Sequence, residues 1–212
     1  MTDVEAEPSV AEHVFGEGLE RARTFAQQLA EHGEERGLIG PLEPPRLWTR
    51  HILNSAVIAD AFRAGSHVAD IGSGAGLPGI VLAIARPDVH WVLIEPMERR
   101  VAWLQEQVHL LGLGNVEVVR SRAEDYDSAN GFDAVTARAV SALRTLIPLT
   151  APLVRPGGQL MLLKGASVST EIEAAQKQIR KFRLQSVEVE YWGEDVLEQP
   201  TTLFRATVAS VI

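Results

Sequence analysis

The stretch DIGSGAGLPG, from Asp70 to Gly79, holds four glycines and one proline in ten residues. It follows the apolar residues Val68 and Ala69 and leads into an apolar run that begins at Ile80. Glycines directly after a buried strand let the backbone approach a ligand closely, and the next helix offers free N–H groups at its N-terminus. The stretch therefore predicts a strand, a ligand-binding turn and a helix, in that order.

Predicted strands and helices alternate outward from this stretch. The seven predicted strands span residues 68–71, 90–95, 116–120, 132–138, 159–164, 184–192 and 201–211. Helices are predicted between them at 78–85, 98–111, 142–153 and 171–182, with none before the last strand. This α/β pattern predicts a Rossmann-like, seven-stranded parallel sheet covered on both faces, with the last strand antiparallel.

The first part of the chain has a different, helical pattern. Residues 1–10 predict a frayed acidic tail, and apolar residues at spacings of three and four from Phe15 to Leu29 predict an amphipathic helix. A loop rich in glycine and proline follows, and then a second helical stretch over 48–62. We therefore divide the chain into an N-terminal tail and helical cap, residues 1–62, and a core, residues 63–212.

The composition excludes several kinds of function. The 212 residues include no cysteine, which excludes disulfides, thiolate metal sites and any cysteine nucleophile. No pair of the six histidines has metal-ligand spacing, so we expect no metal. No apolar run is long enough to span a bilayer and no secretory leader is visible, so we expect a cytoplasmic protein without a membrane partner.

The net charge of −8 is unevenly distributed. Residues 1–35 hold nine acids and two bases, whereas the other 177 residues hold 19 acids and 18 bases. A local basic face that binds nucleic acid is compatible with this nearly neutral body. The candidate residues of such a face are Arg46, Arg50, His51, Arg122 and Arg144.

The glycine turn has three interpretations. Gly74–Gly79 fits the dinucleotide pattern G-x-G-x-x-G, which would indicate NAD, and a turn that serves only helix–sheet packing is the third option. Asp70 followed by glycines at 72, 74 and 76 is typical of S-adenosylmethionine sites. Glu95, at the end of the second strand, suits the ribose hydroxyls of either ligand. The chain also lacks room for the usual substrate domain of an NAD enzyme, which favours the methyl donor.

The order of elements resembles the class I S-adenosylmethionine-dependent methyltransferases. Within that class, four further segments together with the glycine loop resemble the RsmG family, also called GidB, over about residues 47–165. These segments are LWTRHILNS (Leu47–Ser55), SRAED (Ser121–Asp125), TARAV (Thr136–Val140) and LLKG (Leu162–Gly165). The chain departs from the family pattern at EHGEERGLIGP (Glu31–Pro41) and at QPTTLFRATV (Gln199–Val208).

The resemblance implies methylation of N7 of one guanine in bacterial 16S ribosomal RNA. It places Gly72 and Leu77 in the donor pocket, Ala123 and Glu124 at its adenine end, and Arg138 near the methionine part. The substrate would be the RNA within the small ribosomal subunit or an assembly intermediate, and we expect a monomeric enzyme.

Further site residues follow from their positions in the chain. Asp70 is a candidate to anchor the loop or the amino group of the donor, Gly74 to bind the donor as part of the loop, and Glu95 to bind the ribose. Lys164, at the end of the fifth strand, is a candidate to meet RNA phosphate or the base, and with Arg138 it forms the predicted catalytic pair.

The chemistry agrees with N7 as the methyl acceptor. Guanine N7 is an exposed lone pair that needs no general base, and the sequence offers no obvious one. The position after the fourth strand reads Thr136-Ala-Arg-Ala139, unlike the Asn/Asp-Pro-Pro-Tyr segments that serve exocyclic amines. Three alternatives stay open: a small-molecule or other-RNA methyltransferase, an S-adenosylmethionine-binding assembly factor without turnover, and an NAD oxidoreductase.

Overall fold

The structure is a computed structural model that describes residues 4–209. The helices before the sheet are α1 (Ala11–Phe15), α2 (Leu19–His32), a π-helical turn (Trp48–Leu53) and α3 (Asn54–Ala56). The rest of the chain forms β1 (His67–Ile71), α4 (Gly79–Ala85), β2 (His90–Ile94), α5 (Glu98–Leu110), β3 (Val116–Val119), β4 (Phe132–Arg138), α6 (Leu143–Thr150), β5 (Val154–Lys164), α7 (Val168–Ala174), α8 (Gln176–Lys181), β6 (Leu184–Trp192) and β7 (Thr201–Val208).

The strands form one sheet in the order β3-β2-β1-β4-β5-β7-β6. Neighbouring strands from β3 to β5 are parallel, and β7 runs antiparallel to both β5 and β6. The predicted α/β class and antiparallel last strand are confirmed. Strand order reverses between β1 and β4, so the carboxyl ends of these two strands border the crevice in which such sheets bind ligands.

Side chains alternate along the strands and serve a separate core on each face. One face packs against α1, α2, the π-helical turn, α4 and α5, with Phe25, Trp91 and Trp103 fully buried. The other face packs against α6, α7 and α8 around Phe132 and Phe204. The helices of the N-terminal region thus share a core with the sheet. The boundary that we placed between residues 62 and 63 stays a prediction.

Several element boundaries differ from the sequence-based expectation. The helix expected over 48–62 is a π-helical turn, α3 and a 3₁₀ turn, and the helix expected over 171–182 is broken at the buried Ala175. Strand β5 begins at Val154 instead of Gln159. Strand β7 ends at Val208, and residues 210–211 of the predicted strand lie outside the described residues.

The expectation of a frayed tail is wrong for the part of residues 1–10 that the structure describes. The Glu5 N–H donates to the carbonyl of Pro44 at 3.0 Å, and the Glu5 carboxylate accepts from the N–H of Thr49 at 3.0 Å. The Glu7 carboxylate pairs with Arg23 at 2.6 Å. These contacts tie the segment to the helices behind it. Residues 1–3 of the predicted tail lie outside the described range. Between residues 4 and 209, no helix is both long and apolar enough to cross a membrane.

Candidate functional site

The glycine loop leaves the carboxyl end of β1 in a conformation that favours glycine. Gly72, Gly74 and Gly76 have φ angles of 69°, 54° and 94°. A Cβ atom at Gly76 would lie 2.6 Å from Ile80 and 3.1 Å from Phe25. Left-handed backbone and close packing thus both exclude ordinary side chains here, and the loop exposes its main chain instead.

The carboxylate of Glu95 is hydrogen-bonded to the middle of the glycine loop. Glu95 directly follows β2 and is 1% exposed. One carboxylate oxygen accepts from the N–H of Gly74 at 3.0 Å, and the other accepts from the N–H of Met97 at 2.9 Å. The guanidinium of Arg100 lies 4.0 Å away. A carboxylate has about four lone-pair positions, so Glu95 retains acceptor capacity for further hydroxyl groups.

Asp70 fastens the end of the loop and is fully buried. Its Oδ2 accepts from the N–H of Gly79, the first residue of α4, at 3.1 Å. Within residues 4–209, Oδ1 has no hydrogen-bond partner. Burial raises the pKa of Asp70 to about 7, against the opposing effect of the hydrogen bond from Gly79. This hydrogen bond joins β1 to the start of α4, and the two roles expected for Asp70, toward the loop and toward the amino group of the donor, stay predictions.

A cavity of about 320 Å³ lies between the glycine loop and the N-terminal helical region. Its size falls in the range of small-molecule sites, roughly 300–1,000 Å³. The lining residues are Leu38, Ile39, Gly40, Glu43, His51, Gly72, Ser73, Gly74, Ala75, Leu77, Arg100, Arg138 and Ala139. The structure thus brings together four predicted site residues, Gly72, Gly74, Leu77 and Arg138, with Asp70 and Glu95 hydrogen-bonded to the loop.

Sequence reasoning missed the opposite wall of this cavity. Leu38, Ile39, Gly40 and Glu43 belong to the segment between α2 and the π-helical turn, about thirty residues before the glycine loop. The one sequence signal was an apolar Leu38-Ile39 pair inside an otherwise polar, glycine-rich loop. A loop has no periodicity that shows which of its residues face the interior, so the pair did not indicate what it packs against.

Arg138 ends β4 and reaches across to the π-helical turn. Its Nη1 donates to the carbonyl of His51 at 3.2 Å and to Ser55 Oγ at 2.9 Å, and its Nη2 donates to the carbonyl of Arg50 at 2.9 Å. Nη2 also lies 2.8 Å from Nδ1 of His51. Burial, with Arg50 nearby, lowers the pKa of Arg138 to about 10, so the guanidinium stays charged at neutral pH.

His51 and Glu43 continue this set of contacts along the cavity wall. The Nε2 atom of His51 lies 2.6 Å from a carboxylate oxygen of Glu43. Burial, together with the charge of Arg138, lowers the pKa of His51 despite the opposing effect of Glu43. The imidazole is therefore neutral at pH 7. Glu43 also pairs with Arg46 at 2.6 Å and lies 3.6 Å from Arg50, so its single negative charge offsets part of the charge of the predicted basic face.

Lys164 does not line the cavity. Its ammonium pairs with Glu171 at 2.7 Å and donates to the carbonyl of Ser141 at 2.9 Å. The same Glu171 oxygen accepts from the N–H of Leu143 at 2.9 Å, at the start of α6. The predicted contact of Lys164 with RNA or base stays a prediction, because in this structure the ammonium holds the segment that follows β4.

Ala123 and Glu124 lie in a short 3₁₀ turn after β3 and are also not among the lining residues. Ala123 is buried in the core that contains α6, and Glu124 is exposed. Strands β2 and β3 are parallel neighbours, so this turn follows the same edge of the sheet as Glu95. Their place at the adenine end stays a prediction.

The arrangement suits a reaction that needs orientation more than proton transfer. The cavity is lined by main-chain groups of the glycine loop and by two arginines, Arg100 and Arg138. Among residues 4–209, no group of three or more histidine, aspartate or glutamate side chains is placed to hold a metal ion. Displacement at an already activated carbon depends mainly on holding the two reactants in line.

The fold recurs in solved methyltransferase structures. An S-adenosylmethionine-dependent methyltransferase from Aquifex aeolicus superposes with a TM-score of 0.58 at 19% identity, covering 79% of this chain and 95% of that one. TYW2 of M. jannaschii, in complex with AdoMet, superposes with a TM-score of 0.59 at 18% identity, covering 76% of each chain. Identities this low show the fold alone.

Sequence comparison shows the family. The model of the GidB family, described as rRNA small subunit methyltransferase G, matches residues 18–198. The ribosomal RNA small subunit methyltransferase G of Leifsonia xyli subsp. xyli is 62% identical over 209 residues, covering 98% of this chain and all of the relative. The protein of the same name from Clavibacter michiganensis subsp. michiganensis is 58% identical, covering 97% of each.

The resemblance found in the sequence is confirmed, and the S-adenosylmethionine interpretation of the glycine loop prevails over NAD. The chain belongs to the GidB family of rRNA small subunit methyltransferases and has the class I S-adenosylmethionine-dependent methyltransferase fold.

Proposed function

We propose that this enzyme transfers a methyl group from S-adenosylmethionine to N7 of a guanine in 16S ribosomal RNA. The observation that carries the proposal is the cavity at the carboxyl edge of β1 and β4, in a chain of the GidB family. The methyl donor supplies a carbon already activated by its sulfonium. The protein therefore needs to bind the donor and to hold the base in line with the methyl group, in preference to other orientations.

N7 is the acceptor that best fits the residues around the cavity. Its lone pair is free at neutral pH and lies on the major-groove edge of guanine, so no side chain has to remove a proton. The titratable side chains that line the cavity are poor bases for that task. His51 is committed to Glu43 and Arg138, and Glu43 is committed to His51 and Arg46. A methyl acceptor that needs no base suits such a site.

Each site residue has a proposed part. Gly72, Gly74 and Leu77 offer backbone and apolar surface to the donor, and Glu95 accepts from its ribose hydroxyls. The donor's adenine lies toward Ala123 and Glu124.

The charged residues complete the assignment. Arg138 lies at the methionine end, where its positive charge suits a carboxylate. Lys164 acts through the segment it holds, because its bond to Ser141 supports the chain directly after Arg138 and Ala139. Asp70 keeps the loop in place.

We propose a cytoplasmic monomer that acts on the small ribosomal subunit or an assembly intermediate. The net charge of −8 supports this, because an acidic protein binds isolated RNA weakly and benefits from folded RNA or ribosomal proteins as additional contacts. Comparable methylation of a short oligonucleotide and of the intact particle would count against this part.

The deciding experiment maps methyl groups in ribosomal RNA. Cells that lack the protein, and the same cells supplied with the wild-type chain or with Arg138→Ala, are labelled with methyl-labelled methionine. We expect one labelled 7-methylguanosine in 16S RNA with the wild type and a strong loss with Arg138→Ala. Label that enters only small molecules, another RNA or another atom of the base would overturn the assignment, and donor binding without any product would indicate an assembly factor.

A further inference from the structure

Arg138 is oriented by neutral partners. All four of its hydrogen-bond contacts are to carbonyl oxygens, a hydroxyl or an imidazole. Within residues 4–209, no carboxylate lies within 4.0 Å of the guanidinium. The direction of its side chain therefore depends on where these partners are held, and three of the four contacts are made by Arg50 and His51 of the π-helical turn.

The contact with His51 also fixes the imidazole. A guanidinium carries five N–H donors and no acceptor, so Nδ1 of His51 must present its lone pair to Arg138. The proton of the neutral ring is then on Nε2, where it is donated to Glu43 at 2.6 Å. The imidazole thus links the carboxylate of Glu43 to the guanidinium of Arg138, with Nε2 as the donor and Nδ1 as the acceptor.

We propose that His51, oriented by Glu43, is a positioning residue that holds Arg138 in its direction toward the donor cavity. The proposal rests on the proposed function, in which Arg138 meets the donor. In this role His51 acts through Arg138, which meets the methionine end of the donor.

The charges around His51 make this arrangement dependent on pH. Glu43 faces Nε2, Arg138 faces Nδ1, Arg50 lies on the same turn, and Arg46 pairs with the far side of Glu43. Protonation of Nδ1 would direct an N–H at the guanidinium of Arg138 and abolish the hydrogen bond. Acidification through the lowered pKa of His51 should therefore remove one of the four hydrogen-bond contacts that orient Arg138.

Two amide substitutions separate the two ends of the ring. His51→Asn places an amide oxygen near the position of Nδ1 and keeps this side-chain acceptor for Arg138. His51→Gln places its amide near Nε2, so its side chain keeps only the contact with Glu43; the backbone carbonyl of residue 51 accepts from Arg138 in both variants. We expect His51→Gln to weaken S-adenosylmethionine binding about tenfold or more, as a lost bond to a charged group would, and His51→Asn to change it less than about threefold. His109→Asn, on the exposed side of α5, is the control for a histidine outside the site.

The pH profile gives a second, independent measurement. Donor affinity of the wild type should fall as the pH drops below about 6.5, the ordinary value from which the pKa of His51 is lowered, and His51→Asn should lose the part of this fall that belongs to the imidazole. Asp70, whose pKa is raised to about 7, is present in both proteins, so its effect cancels in the comparison. If His51→Gln does not fold, this comparison alone decides.

The outcomes separate this inference from the proposed function. Equal effects of the two amide variants, or identical pH profiles of the wild type and His51→Asn, would reduce His51 to a packing role and overturn the inference. If Arg138→Ala abolishes donor binding while His51→Gln binds like the wild type, the proposed function stands and the inference fails. If Arg138→Ala leaves donor affinity unchanged, both the role of Arg138 and the inference are wrong.

Discussion

The carboxylate of Glu95 accepts a hydrogen bond from the backbone N–H of Gly74 across 3.0 Å, so β2 holds the loop that leaves β1. Its other oxygen accepts from Met97 at 2.9 Å. Replacement of Glu95 by Gln turns one of these acceptors into a donor that faces an N–H. We expect donor affinity to fall between about 10-fold and 100-fold, as for the loss of one or two charge-assisted hydrogen bonds. Calorimetric titration with S-adenosylmethionine measures this, and Glu98→Gln, whose side chain is exposed, should bind normally.

Gly72 and Gly65 allow strain and binding to be separated. Both have left-handed backbone, with φ of 69° and 72°. A Cβ at Gly65 meets nothing within 4 Å, whereas one at Gly72 lies 2.9 Å from Val140. Alanine at either position should lower the free energy of unfolding by about 1 kcal/mol through backbone strain. Only Gly72→Ala should also weaken donor binding, because only Gly72 lines the cavity. A similar loss of affinity in Gly65→Ala would show that general destabilisation, and not the loop, is responsible.

Lys164 and Glu171 form a largely buried ion pair, with side chains 9% and 19% exposed. Lys164→Met leaves the Glu171 carboxylate without its cation, and we expect the free energy of unfolding to fall by roughly 2–4 kcal/mol. Urea denaturation measures this loss. The double variant Lys164→Met/Glu171→Gln should recover part of it, and Lys177→Met on the exposed side of α8 should stay within about 0.5 kcal/mol of the wild type. A stable Lys164→Met enzyme that has lost turnover would instead support direct contact of Lys164 with substrate.

Asp70 should make stability fall as the pH rises. Its pKa is about 7 in the folded protein against the ordinary aspartate value of 3.8, so between these values the folded state binds the extra proton. The free energy of unfolding should therefore decrease from about pH 4 to about pH 7, by up to about 1.4 kcal/mol per pH unit from this group. Above pH 7 this contribution is lost completely.

The variant Asp70→Asn tests this slope, because it keeps an amide oxygen for Gly79 but does not titrate. In urea denaturation without donor, its stability relative to the wild type should rise across that pH interval. Asp195→Asn, at an exposed position, should leave the slope unchanged. Parallel curves for the wild type and Asp70→Asn would mean that Asp70 is ionised throughout.

The sequence predicted well those parts of the site that are coded locally. The turn at Gly72–Gly79 and the acid at Glu95 follow directly from β1 and β2, and the strand pattern gave the edge of the sheet on which they meet. The position of Arg138 at the end of β4 was predicted for the same reason.

What the sequence did not reveal depends on contacts between distant segments. The cavity wall at Leu38–Glu43 comes from a loop with no periodicity. Lys164 was placed by its strand end, but Glu171, seven residues later, binds the ammonium once α7 forms. The partners of Arg138 include two backbone carbonyls, and a side-chain pattern carries no sign of which carbonyl a helix leaves free. The π-helical turn supplies them, as such turns often do at functional sites.

The hydrogen bonds between the π-helical turn and Arg138 affect which amino acids position 50 can tolerate. Every amino acid at position 50 has a main-chain carbonyl. A substitution there therefore keeps the acceptor to which Nη2 of Arg138 donates at 2.9 Å. The side chain of Arg50 is 56% exposed and can be replaced without removing this main-chain contact. Residue 50 thus combines an exposed side chain that can be replaced with a carbonyl contact that every residue type retains.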